Sequence, residues 1–310
     1  MRSLITGANG FLGSHLVRHL LERGHTVTVL LRPGADLSRI SSLLADVLVV
    51  EGSMEDQTTL EETLVSNPVD VAFHLAWAGV AGIHRNHVEI SIANLVGSLR
   101  LAQRLQASGC RHLVVTGSQA EYGPKTKPLT EEMPTMPQTA YGASKLALSV
   151  LLRQMCHSTS MDLSWVRILS LYGPGDDVAH MVPSLIAALL RGERPSLTAG
   201  EQIWDYLYVE DAAEALCLLA ERRLIGTFNL GSGIPLRLRE FVMAVRNAID
   251  PHLPLGFGEV DYRPDQVMHL VADIGRISQA SGWHPRTELR QGIEQTIAWV
   301  RSRSDSEERN

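Results

Sequence analysis

A glycine-rich turn near the N-terminus constrains the fold of this chain more than any other feature of its sequence. Residues 2–5 predict a short strand and residues 10–23 an amphipathic helix, and Gly7, Gly10 and Gly13 lie at the turn between them. Glycines at such a turn let the backbone approach a pyrophosphate and let the helix pack closely on the strand. The N-terminus of the helix then faces the phosphates. This arrangement predicts a βαβ unit that binds a dinucleotide.

Short strands alternate with amphipathic helical segments along roughly the first 170 residues. The predicted strands are 2–5, 26–31, 47–50, 69–75, 112–115 and 163–168. The predicted helices are 10–23, 37–45, 58–66, 85–108 and 141–157. Because parallel strands require crossover connections, the alternation predicts an α/β fold, a Rossmann-type doubly wound parallel sheet with helices on both faces.

The pattern changes after residue 172, where Gly173-Pro174-Gly175 interrupts the chain. Further helices are predicted at 181–191, 210–222, 236–249, 273–281 and 287–302, with short strands near 196 and 206. We expect an NAD(P)-binding domain over 1–172 and a smaller, interleaved C-terminal part over 173–302. A buried strand near 227–230 is expected to return to the main sheet, and 303–310 to form a flexible polar tail.

The composition excludes several classes of function. The 310 residues are 45% hydrophobic and 20% charged, as in globular proteins rather than disordered or fibrous ones. A net charge of −6 with scattered Lys and Arg leaves no basic stripe for nucleic acid. No apolar run reaches the roughly eighteen residues of a membrane span, so no membrane association is expected. Three widely spaced cysteines, and a strand that begins at residue 2 where a signal peptide would lie, indicate the cytoplasm.

The residue after the second strand indicates which dinucleotide binds. A fold of this kind that binds NAD places an acidic residue there, which accepts hydrogen bonds from the ribose 2′-hydroxyl. Here the strand ends at Leu31 and Arg32 follows, and a guanidinium suits a 2′-phosphate. We therefore expect NADP(H) in preference to NAD(H), with Arg39 as a second candidate for the phosphate.

The other expected cofactor contacts lie in the glycine turn and after the third and fourth strands. They are Asn9, Phe11, Leu12, Ser53, Met54, Leu75, Ala76 and Trp77. Trp77 has two interpretations, because an aromatic residue at a strand end either lines the nicotinamide or sugar pocket or packs in the core.

A serine, a tyrosine and a lysine form the candidate catalytic set. Tyr141 and Lys145 are spaced i, i+4, so they share one face of a predicted helix, and the lysine charge is expected to lower the pKa of the phenol. Ser118 ends the fifth strand, at the sheet edge where ligands bind in open α/β folds. Ser118 is expected to hold a substrate carbonyl while Tyr141 exchanges a proton with it.

With these motifs together, the chain resembles the extended short-chain dehydrogenase/reductase superfamily, in its sugar-nucleotide branch of epimerases, dehydratases and 4-ketoreductases. The resemblance covers nearly the whole chain. The residues that carry it are Gly7, Gly10 and Gly13; His74-Leu75-Ala76; Asn94; Ser118 before Tyr122-Gly123; Tyr141 and Lys145; Leu171-Tyr172-Gly173-Pro174; Tyr208-Val209-Glu210-Asp211-Ala212; Asn229-Leu230-Gly231; and Gly282-Trp283 with Pro285.

The resemblance implies roles that the spacing alone does not. Lys145 would also hold the nicotinamide ribose, and Asn94 would position the long helix and a proton-relay water. The C-terminal part would bind the nucleoside diphosphate of a nucleotide-sugar substrate. Helices 85–108 and 141–157 would pair with a second subunit, which makes the protein a homodimer.

Departures from the family pattern argue against one of the family's activities. Sugar-nucleotide 4,6-dehydratases carry an Asp–Glu pair after the active-site hydroxyl, because removal of water needs its own acid and base. Gln119 and Ala120 stand there instead, and Glu121 would need a shifted loop to replace them. A 4,6-dehydratase is therefore not expected.

The substrate-binding positions also depart from the family pattern. Trp204 stands where the family has an arginine, and Ser170 where it has an asparagine. Arg263 lies where similar enzymes place an arginine on the substrate pyrophosphate, and a guanidinium suits a diphosphate. The expected substrate contacts are Ser118, Gln119, Ser170, Trp204 and Arg263.

These features favour an NADPH-dependent reductase of a nucleotide-activated 4-keto-6-deoxy sugar, in which Tyr141 protonates the C4 oxygen held by Ser118. A reductase draws on the NADPH pool, whereas an epimerase recycles its bound cofactor. Two alternatives stay open: a nucleotide-sugar C4 epimerase with tightly bound NAD(P), and a non-catalytic NADPH-sensing regulator. No metal site is expected, because His84 and His87 lack a third ligand.

Overall fold

The computed structural model describes residues 1–80 and 82–307, which form a layered α/β fold. The strands are β1 (Arg2–Thr6), β2 (Thr26–Leu31), β3 (Val47–Glu51), β4 (Val71–His74), β5 (His112–Ser118), β6 (Asp162–Ile168), β7 (Ser170–Tyr172), β8 (Ser196–Leu197), β9 (Ile203–Trp204), β10 (Tyr206–Tyr208), β11 (Gly226–Leu230), β12 (Leu236–Arg237), β13 (Gly256–Phe257) and β14 (His269–Leu270).

The connecting helices have the amphipathic patterns that the sequence predicts for most of them. They are α1 (Phe11–Glu22), α2 (Thr58–Ser66), α3 (Val88–Ala107), α4 (Ala140–His157), α5 (Met181–Leu190), α6 (Val209–Glu221), α7 (Leu238–Ile249), α8 (Gly275–Ser281) and α9 (Leu289–Glu307). Short 3₁₀ turns cover Ser41–Asp46, Gly82–His84 and Gln119–Glu121. Within the described ranges, no helix combines the length and the apolar character that crossing a bilayer requires.

The strand order of the main sheet creates a ligand crevice next to β1. Seven parallel strands lie in the order β11-β6-β5-β4-β1-β2-β3. The chain extends the sheet from β1 to β3 on one side and from β4 to β6 on the other, so the order reverses between β1 and β4. Ligands bind outside the carboxyl ends of the strands at such a reversal. The Rossmann-type doubly wound sheet predicted from the sequence is therefore confirmed.

Two apolar layers hold the helices against this sheet. On one face, α1 and α6 bury side chains three or four residues apart, and on the other α3 and α4 do the same, as amphipathic helices require. Fully buried examples are Leu16, Leu20, Leu216 and Leu219 on the first face and Leu101, Leu105, Leu148 and Leu152 on the second. Each such side chain contributes about 1.5–3 kcal/mol by leaving water.

The C-terminal part builds a separate aromatic core around α5, α7 and α9. The Tyr206 and Phe241 rings stack with centroids 4.2 Å apart, and Tyr172 meets Phe241 edge-on at 5.5 Å. Small sheets surround this core: β10 with β7, β9 between β12 and β14, and β13 with β8. Only β11 leaves this part of the chain for the main sheet, where it pairs with β6 along its full length.

One predicted helix is wrong, and several element boundaries differ. A 3₁₀ turn at Ser41–Asp46 overlaps the predicted helix 37–45, and no α-helix forms there. The Asp36 carboxylate accepts hydrogen bonds from the N–H and hydroxyl of Ser38, a local turn that competes with helix formation. The first two residues of the predicted helix 236–249 form β12 because they pair with β9. At the C-terminus, α9 continues to Glu307, so the predicted tail is helical as far as that residue.

Candidate active site

The glycine turn between β1 and α1 is shaped so that only glycine fits. Gly7 has φ +75°, and a Cβ there would lie 2.7 Å from the Ala76 nitrogen after β4. A Cβ on Gly13 would lie 2.8 Å from the Gly7 carbonyl carbon and closer still to its oxygen. The Gly10 N–H donates to the Gly7 carbonyl at 3.0 Å, and no side chain caps the N-terminus of α1. The free N–H groups of α1 therefore point to a ready-made site for a dinucleotide pyrophosphate.

The other predicted residues of this turn have distinct contacts. The Asn9 amide donates to the Asp36 carbonyl at 3.0 Å, which ties the turn to the loop after β2. Phe11 lies edge-on to the His15 ring with centroids 6.0 Å apart, and Leu12 packs against the core.

The two arginines after β2 differ in availability. Arg32 is exposed, and its guanidinium has no hydrogen bond or ion pair with the residues that the structure describes. Arg39 is half-buried, and its Nε donates to the Gly175 carbonyl at 2.6 Å. Arg32 is therefore the freer of the two candidate ligands for a phosphate.

The loop after β3 is held by its own backbone contacts. The Ser53 hydroxyl accepts hydrogen bonds from the N–H groups of Glu55 and Asp56 at 3.1 and 3.0 Å. Met54 packs against α3 at Gly97, where a Cβ would meet its side chain at 2.9 Å. The loop lies at the carboxyl end of β3, two strands from the glycine turn, where the sequence placed it.

Asn94 holds the segment that follows β4. Its amide donates to the Ala78 carbonyl and its oxygen accepts from the Ala78 N–H, both at 2.9 Å. The Ala76 N–H donates to the Thr6 hydroxyl at 3.3 Å, which fixes the same segment to β1. His74 at the end of β4 is buried, and burial, with the nearby charge of Lys145, lowers its pKa to about 3. Asn94 thus positions the loop beside the glycine turn, and His74 stays neutral.

Ser118, Tyr141 and Lys145 lie together at the carboxyl end of β5. They are 8%, 8% and 2% exposed, and although burial raises the pKa of the Tyr141 phenol, the neighbouring Ser118 hydroxyl acts to lower it. The Lys145 Nζ donates to the Thr116 carbonyl of β5 at 2.7 Å. A Cβ on Gly142 would lie 2.5 Å from the Ala120 carbonyl oxygen, so this glycine lets α4 approach the turn after β5. Neighbouring elements therefore bring the three side chains together.

Burial dominates the electrostatics of this set. It raises the pKa of Tyr141 and lowers the pKa of Lys145 to about 7, because both charged forms lose solvation. The cation that lowers the Tyr141 pKa is Arg85, whose guanidinium lies 5.6 Å from the phenol ring centroid. The pKa of Tyr141 is thus raised on balance, because desolvation outweighs the charge of Arg85, and the lowering of this pKa by Lys145 stays a prediction.

Trp77 contacts both members of the tyrosine–lysine pair. Its ring lies edge-on to Tyr141 with centroids 6.2 Å apart, and the Lys145 Nζ lies 3.8 Å from its ring centroid. The face of an indole attracts a cation, so this contact favours the ammonium form of Lys145. Trp77 is also partly buried against the core beneath α3 and α4, so its role as a pocket wall stays a prediction. Arg85 was missed because no motif marks it; its backbone carbonyl, which accepts the Tyr141 N–H at 2.8 Å, is visible only in the fold.

Glu121, the acidic residue nearest to Ser118 in the chain, makes structural contacts. Glu121 is fully buried, and its carboxylate binds the Arg167 guanidinium at 2.8 Å. Gln119 and Ala120 stand between it and Ser118 on the 3₁₀ turn. The shifted loop that would let Glu121 act as an acid or base is therefore absent from this structure.

The predicted substrate residues lie on the C-terminal side of the crevice. Ser170 is half-buried on β7, and Trp204 on β9 donates through its indole N–H to the Val267 carbonyl at 2.8 Å. Arg263 is exposed at a turn in which its carbonyl accepts the Gln266 N–H at 2.9 Å. Direct contacts join Ser118, Tyr141, Lys145 and Trp77. The contacts of Ser170, Trp204 and Arg263 are instead with residues outside the main sheet.

One group of metal-type ligands occurs within the described ranges, at His25, Cys217 and Glu221. Arg23 already binds the Glu221 carboxylate through its Nε at 2.9 Å. Burial raises the pKa of the Cys217 thiol to about 12, which disfavours the thiolate that a metal needs. Two of the three ligands are thus poorly suited to a cation.

Comparison with known proteins places this geometry among sugar-nucleotide enzymes. The family model described as "NAD dependent epimerase/dehydratase family" matches residues 3–231. A UDP-glucose 4-epimerase of Mycolicibacterium smegmatis is 29% identical over 98% of this chain and 100% of its own length. A dTDP-glucose 4,6-dehydratase of Xanthomonas campestris is 28% identical over 96% of this chain and 92% of its own.

Solved structures share the fold along nearly the whole chain. The UDP-N-acetylglucosamine 4-epimerase of Methanobrevibacter ruminantium, in complex with UDP-N-acetylmuramic acid, superposes with a TM-score of 0.88 at 25% identity, covering 97% of this chain and 98% of its own. The Thermus thermophilus UDP-glucose 4-epimerase, in complex with NAD, superposes with a TM-score of 0.86 at 26% identity, covering 97% and 99%.

Proposed function

The chain belongs to the NAD dependent epimerase/dehydratase family, within the extended short-chain dehydrogenase/reductase superfamily, and on that premise we propose that it is an NADPH-dependent 4-ketoreductase of a nucleotide-activated 4-keto-6-deoxy sugar. The observation that carries the proposal is the buried set of Ser118, Tyr141 and Lys145 at the sheet edge beside the glycine turn. This set suits transfer of a proton to a carbonyl oxygen.

Each residue of the set has one task in the proposed reaction. The Ser118 hydroxyl holds the C4 oxygen of the sugar, and the Tyr141 phenol gives that oxygen its proton, so that a ketone becomes an alcohol. The ammonium of Lys145, which Trp77 and the Thr116 carbonyl hold in place, binds the nicotinamide ribose. Burial of all three side chains keeps water from the reacting oxygen.

The cofactor cradle of this chain fits a dinucleotide. A Cβ on Gly7 or Gly13 would clash with the backbone of the turn or of the segment after β4, so these glycines let the turn close tightly, and the uncapped N-terminus of α1 offers N–H groups for a pyrophosphate. When bound, the dinucleotide supplies the hydride for C4. The Arg32 guanidinium, which pairs with none of the described residues, supports a 2′-phosphate and hence NADP(H), because Arg32 stands directly after β2 in the place of the acidic residue that would accept the ribose hydroxyls.

The substrate class rests on the family and on the C-terminal layer. Arg263 and the uncapped N-terminus of α5 supply a guanidinium and backbone N–H groups for a diphosphate. Ser170, Trp204 and Gln119 would contact the nucleoside or the sugar. A 4,6-dehydratase activity fits less well, because Glu121 is held by Arg167 and the two residues before it carry no acid or base.

A second candidate is C4 epimerisation with tightly bound NAD(P). It is favoured by the relatives named UDP-glucose 4-epimerase, which match this chain along almost all of its length. Tyr141 would then remove the proton from the C4 hydroxyl and return it after the sugar has turned. Ser118 and Lys145 would keep the same tasks.

A panel assay distinguishes the two activities. The protein is incubated with NADPH or NADH and nucleotide 4-keto-6-deoxy sugars, and also with UDP-glucose, while nicotinamide absorbance and sugar products are followed. We expect one NADPH oxidised for each sugar reduced, with NADH poorer. Conversion of UDP-glucose without net nicotinamide change would establish the epimerase instead, and no conversion of any substrate would contradict both.

Arg32→Ala tests the cofactor preference. A charge-assisted hydrogen bond contributes about 1.5–3 kcal/mol, so the variant should bind NADPH about 10-fold to 100-fold more weakly and NADH almost unchanged. Dissociation constants from fluorescence titration measure this. Arg39→Ala is the matched control, because its guanidinium already binds the Gly175 carbonyl and should not discriminate between the cofactors. Equal losses for NADPH and NADH in Arg32→Ala would contradict the assignment.

We also propose that α3 and α4 form a homodimer interface, as the family resemblance implies. Both helices expose large apolar side chains, which marks a surface for a partner. These are Val88, Ile92 and Val96 on α3 and Val150 and Leu151 on α4.

A further inference from the structure

A buried ion pair lies next to Ser118, and the proposed reaction does not use it. The Glu121 carboxylate and the Arg167 Nε are 2.8 Å apart, and their side chains are 0% and 5% exposed. Burying two charges is costly, and well-packed apolar residues are often equally stable in such a place. The pair therefore calls for a role beyond stability.

The carboxylate of Glu121 fixes the backbone of Ser118. Its Oε1 accepts the Ser118 N–H at 2.8 Å and the Trp165 indole N–H at 3.0 Å. A Cβ on Gly117 would lie 2.5 Å from this oxygen, so the carboxylate reaches the strand only because that residue is glycine. The carboxylate thus joins the end of β5 to β6 at the point where Ser118 begins the turn.

Arg167 is itself anchored from the opposite side. Its guanidinium lies 4.4 Å from the centroid of the Tyr122 ring, and the Tyr122 hydroxyl donates to the Asn229 side chain at 2.7 Å. The Asn229 N–H donates to the Glu131 carboxylate, also at 2.7 Å. The pair is therefore held between β6, β11 and the turn after β5, and it has no room to shift without moving Ser118.

We propose that Glu121 and Arg167 are positioning residues that act through Ser118, holding its backbone so that its hydroxyl faces both the Tyr141 phenol and the substrate oxygen. This inference rests on the proposed role of Ser118. The contacts already made by the carboxylate exclude Glu121 as a proton carrier, because the Arg167 guanidinium and two N–H groups occupy its oxygens.

The charge of Glu121 provides an independent readout. It raises the pKa of Tyr141 and of Lys145, because a negative charge favours the protonated form of both. Other charged groups near the phenol among the described residues are Lys145, which shares Trp77 with it, and Arg85, which His180 faces from the start of α5. Removing the Glu121 charge should therefore move the ionisation of Tyr141 to lower pH.

The first experiment removes the Glu121–Arg167 ion pair, once from the otherwise unchanged protein and once from a Ser118→Ala variant. Glu121→Met with Arg167→Met replaces both charges by apolar chains of similar length, which preserves packing and leaves the Ser118 N–H without its acceptor. We expect kcat to fall about 100-fold with KM nearly unchanged, as for a small misplacement of a catalytic group. In a Ser118→Ala background the same double change should have almost no further effect.

The outcomes of this experiment are separable. A full loss in both backgrounds would show that the pair acts on something other than Ser118, and an unchanged kcat would show that it positions nothing; either result overturns the inference. If Ser118→Ala alone leaves kcat unchanged, the proposed role of Ser118 fails and the inference falls with it. Asp211→Asn is the matched control, because Asp211 is a buried carboxylate that accepts hydrogen bonds from the backbone N–H groups of Arg286 and Thr287. It should lower Tm and leave kcat unchanged.

The second experiment uses Glu121→Gln, which keeps an acceptor for the Ser118 N–H and removes the charge. Ultraviolet difference titration of tyrosine ionisation, with Tyr141→Phe subtracted, needs no substrate and also reports on the folded protein. The Tyr141 ionisation, and the high-pH limb of the reductase profile, should both move to lower pH. A variant that folds and shows no movement would overturn the inference that Glu121 acts on this site.

Discussion

Replacing Tyr141 with phenylalanine lowers kcat by about 1,000-fold, within the range that a positioned proton donor contributes. The variant keeps the ring, so the edge contact with Trp77 and the cation contact with Arg85 persist. Only the hydroxyl is lost, and with it the interaction with the Ser118 hydroxyl and the proton for the substrate oxygen. The dissociation constant for the dinucleotide should change little, because the glycine turn is untouched. Steady-state kinetics with a substrate found in the panel and fluorescence titration of the cofactor measure the two effects separately.

Tyr206→Phe is the matched control for this prediction. The Tyr206 hydroxyl is buried and forms no hydrogen bond with the part of the chain that the structure describes, so its removal should leave kcat and Tm nearly unchanged. A Tyr141→Phe variant that binds cofactor and retains its kcat would show that another group donates the proton. The pH dependence adds a further check: the protonated phenol is the donor, so reductase activity should fall as the pH rises through the Tyr141 pKa, which burial raises.

Gly13→Ala should weaken dinucleotide binding by about 100-fold, which corresponds to the upper part of the about 1–3 kcal/mol that overpacking costs. The added Cβ would lie 2.8 Å from the Gly7 carbonyl carbon and closer to its oxygen. Because backbone atoms cannot rotate away, the turn itself must move, and the hydrogen bond from the Gly10 N–H to the Gly7 carbonyl is strained. The cradle for the pyrophosphate is then lost while α1 keeps its helical pattern.

Thermal unfolding with and without NADPH separates the two consequences of this substitution. We expect a lower Tm and, more tellingly, almost no increase of Tm on addition of NADPH, because the ligand stabilises only a protein that binds it. Gly10→Ala is a graded control, since a Cβ there would meet the Gly7 carbonyl oxygen at 3.2 Å and needs only a small adjustment. A folded Gly13→Ala variant with an unchanged dissociation constant would contradict the assigned cofactor site.

Tyr141 and Glu121 show that sequence motifs predict local relations between residues but not contacts between distant ones. Tyr141 and Lys145 were predicted because i, i+4 spacing on a helix is a local relation that the sequence displays. Glu121 was considered only as a displaced acid, because its partner Arg167 is 46 residues away in the chain and nothing in the sequence pairs the two. Arg85 and the contact of Trp77 with Lys145 were not predicted for the same reason.

The helix predicted over 37–45 shows that a local pattern can also be misleading. Apolar residues there have helical spacing, and Ile40 is buried in the core with Leu37, Leu43 and Leu44 packed against it, yet Asp36 closes a local turn instead of a helix. Apolar periodicity shows which side chains would share a face if a helix formed. A polar side chain that hydrogen-bonds the nearby backbone can prevent the helix from forming.

The sequence by itself determined the doubly wound sheet, the glycine turn, the ends of the strands that carry Ser118 and Arg32, and the family. Each of these depends on residues close together in the chain, where backbone sterics and apolar periodicity act directly. The tertiary structure alone decided the burial of Glu121 with Arg167, the raised pKa of Tyr141 and the cations around it. Those properties depend on desolvation and on charges from distant segments, which exist only once the elements have packed.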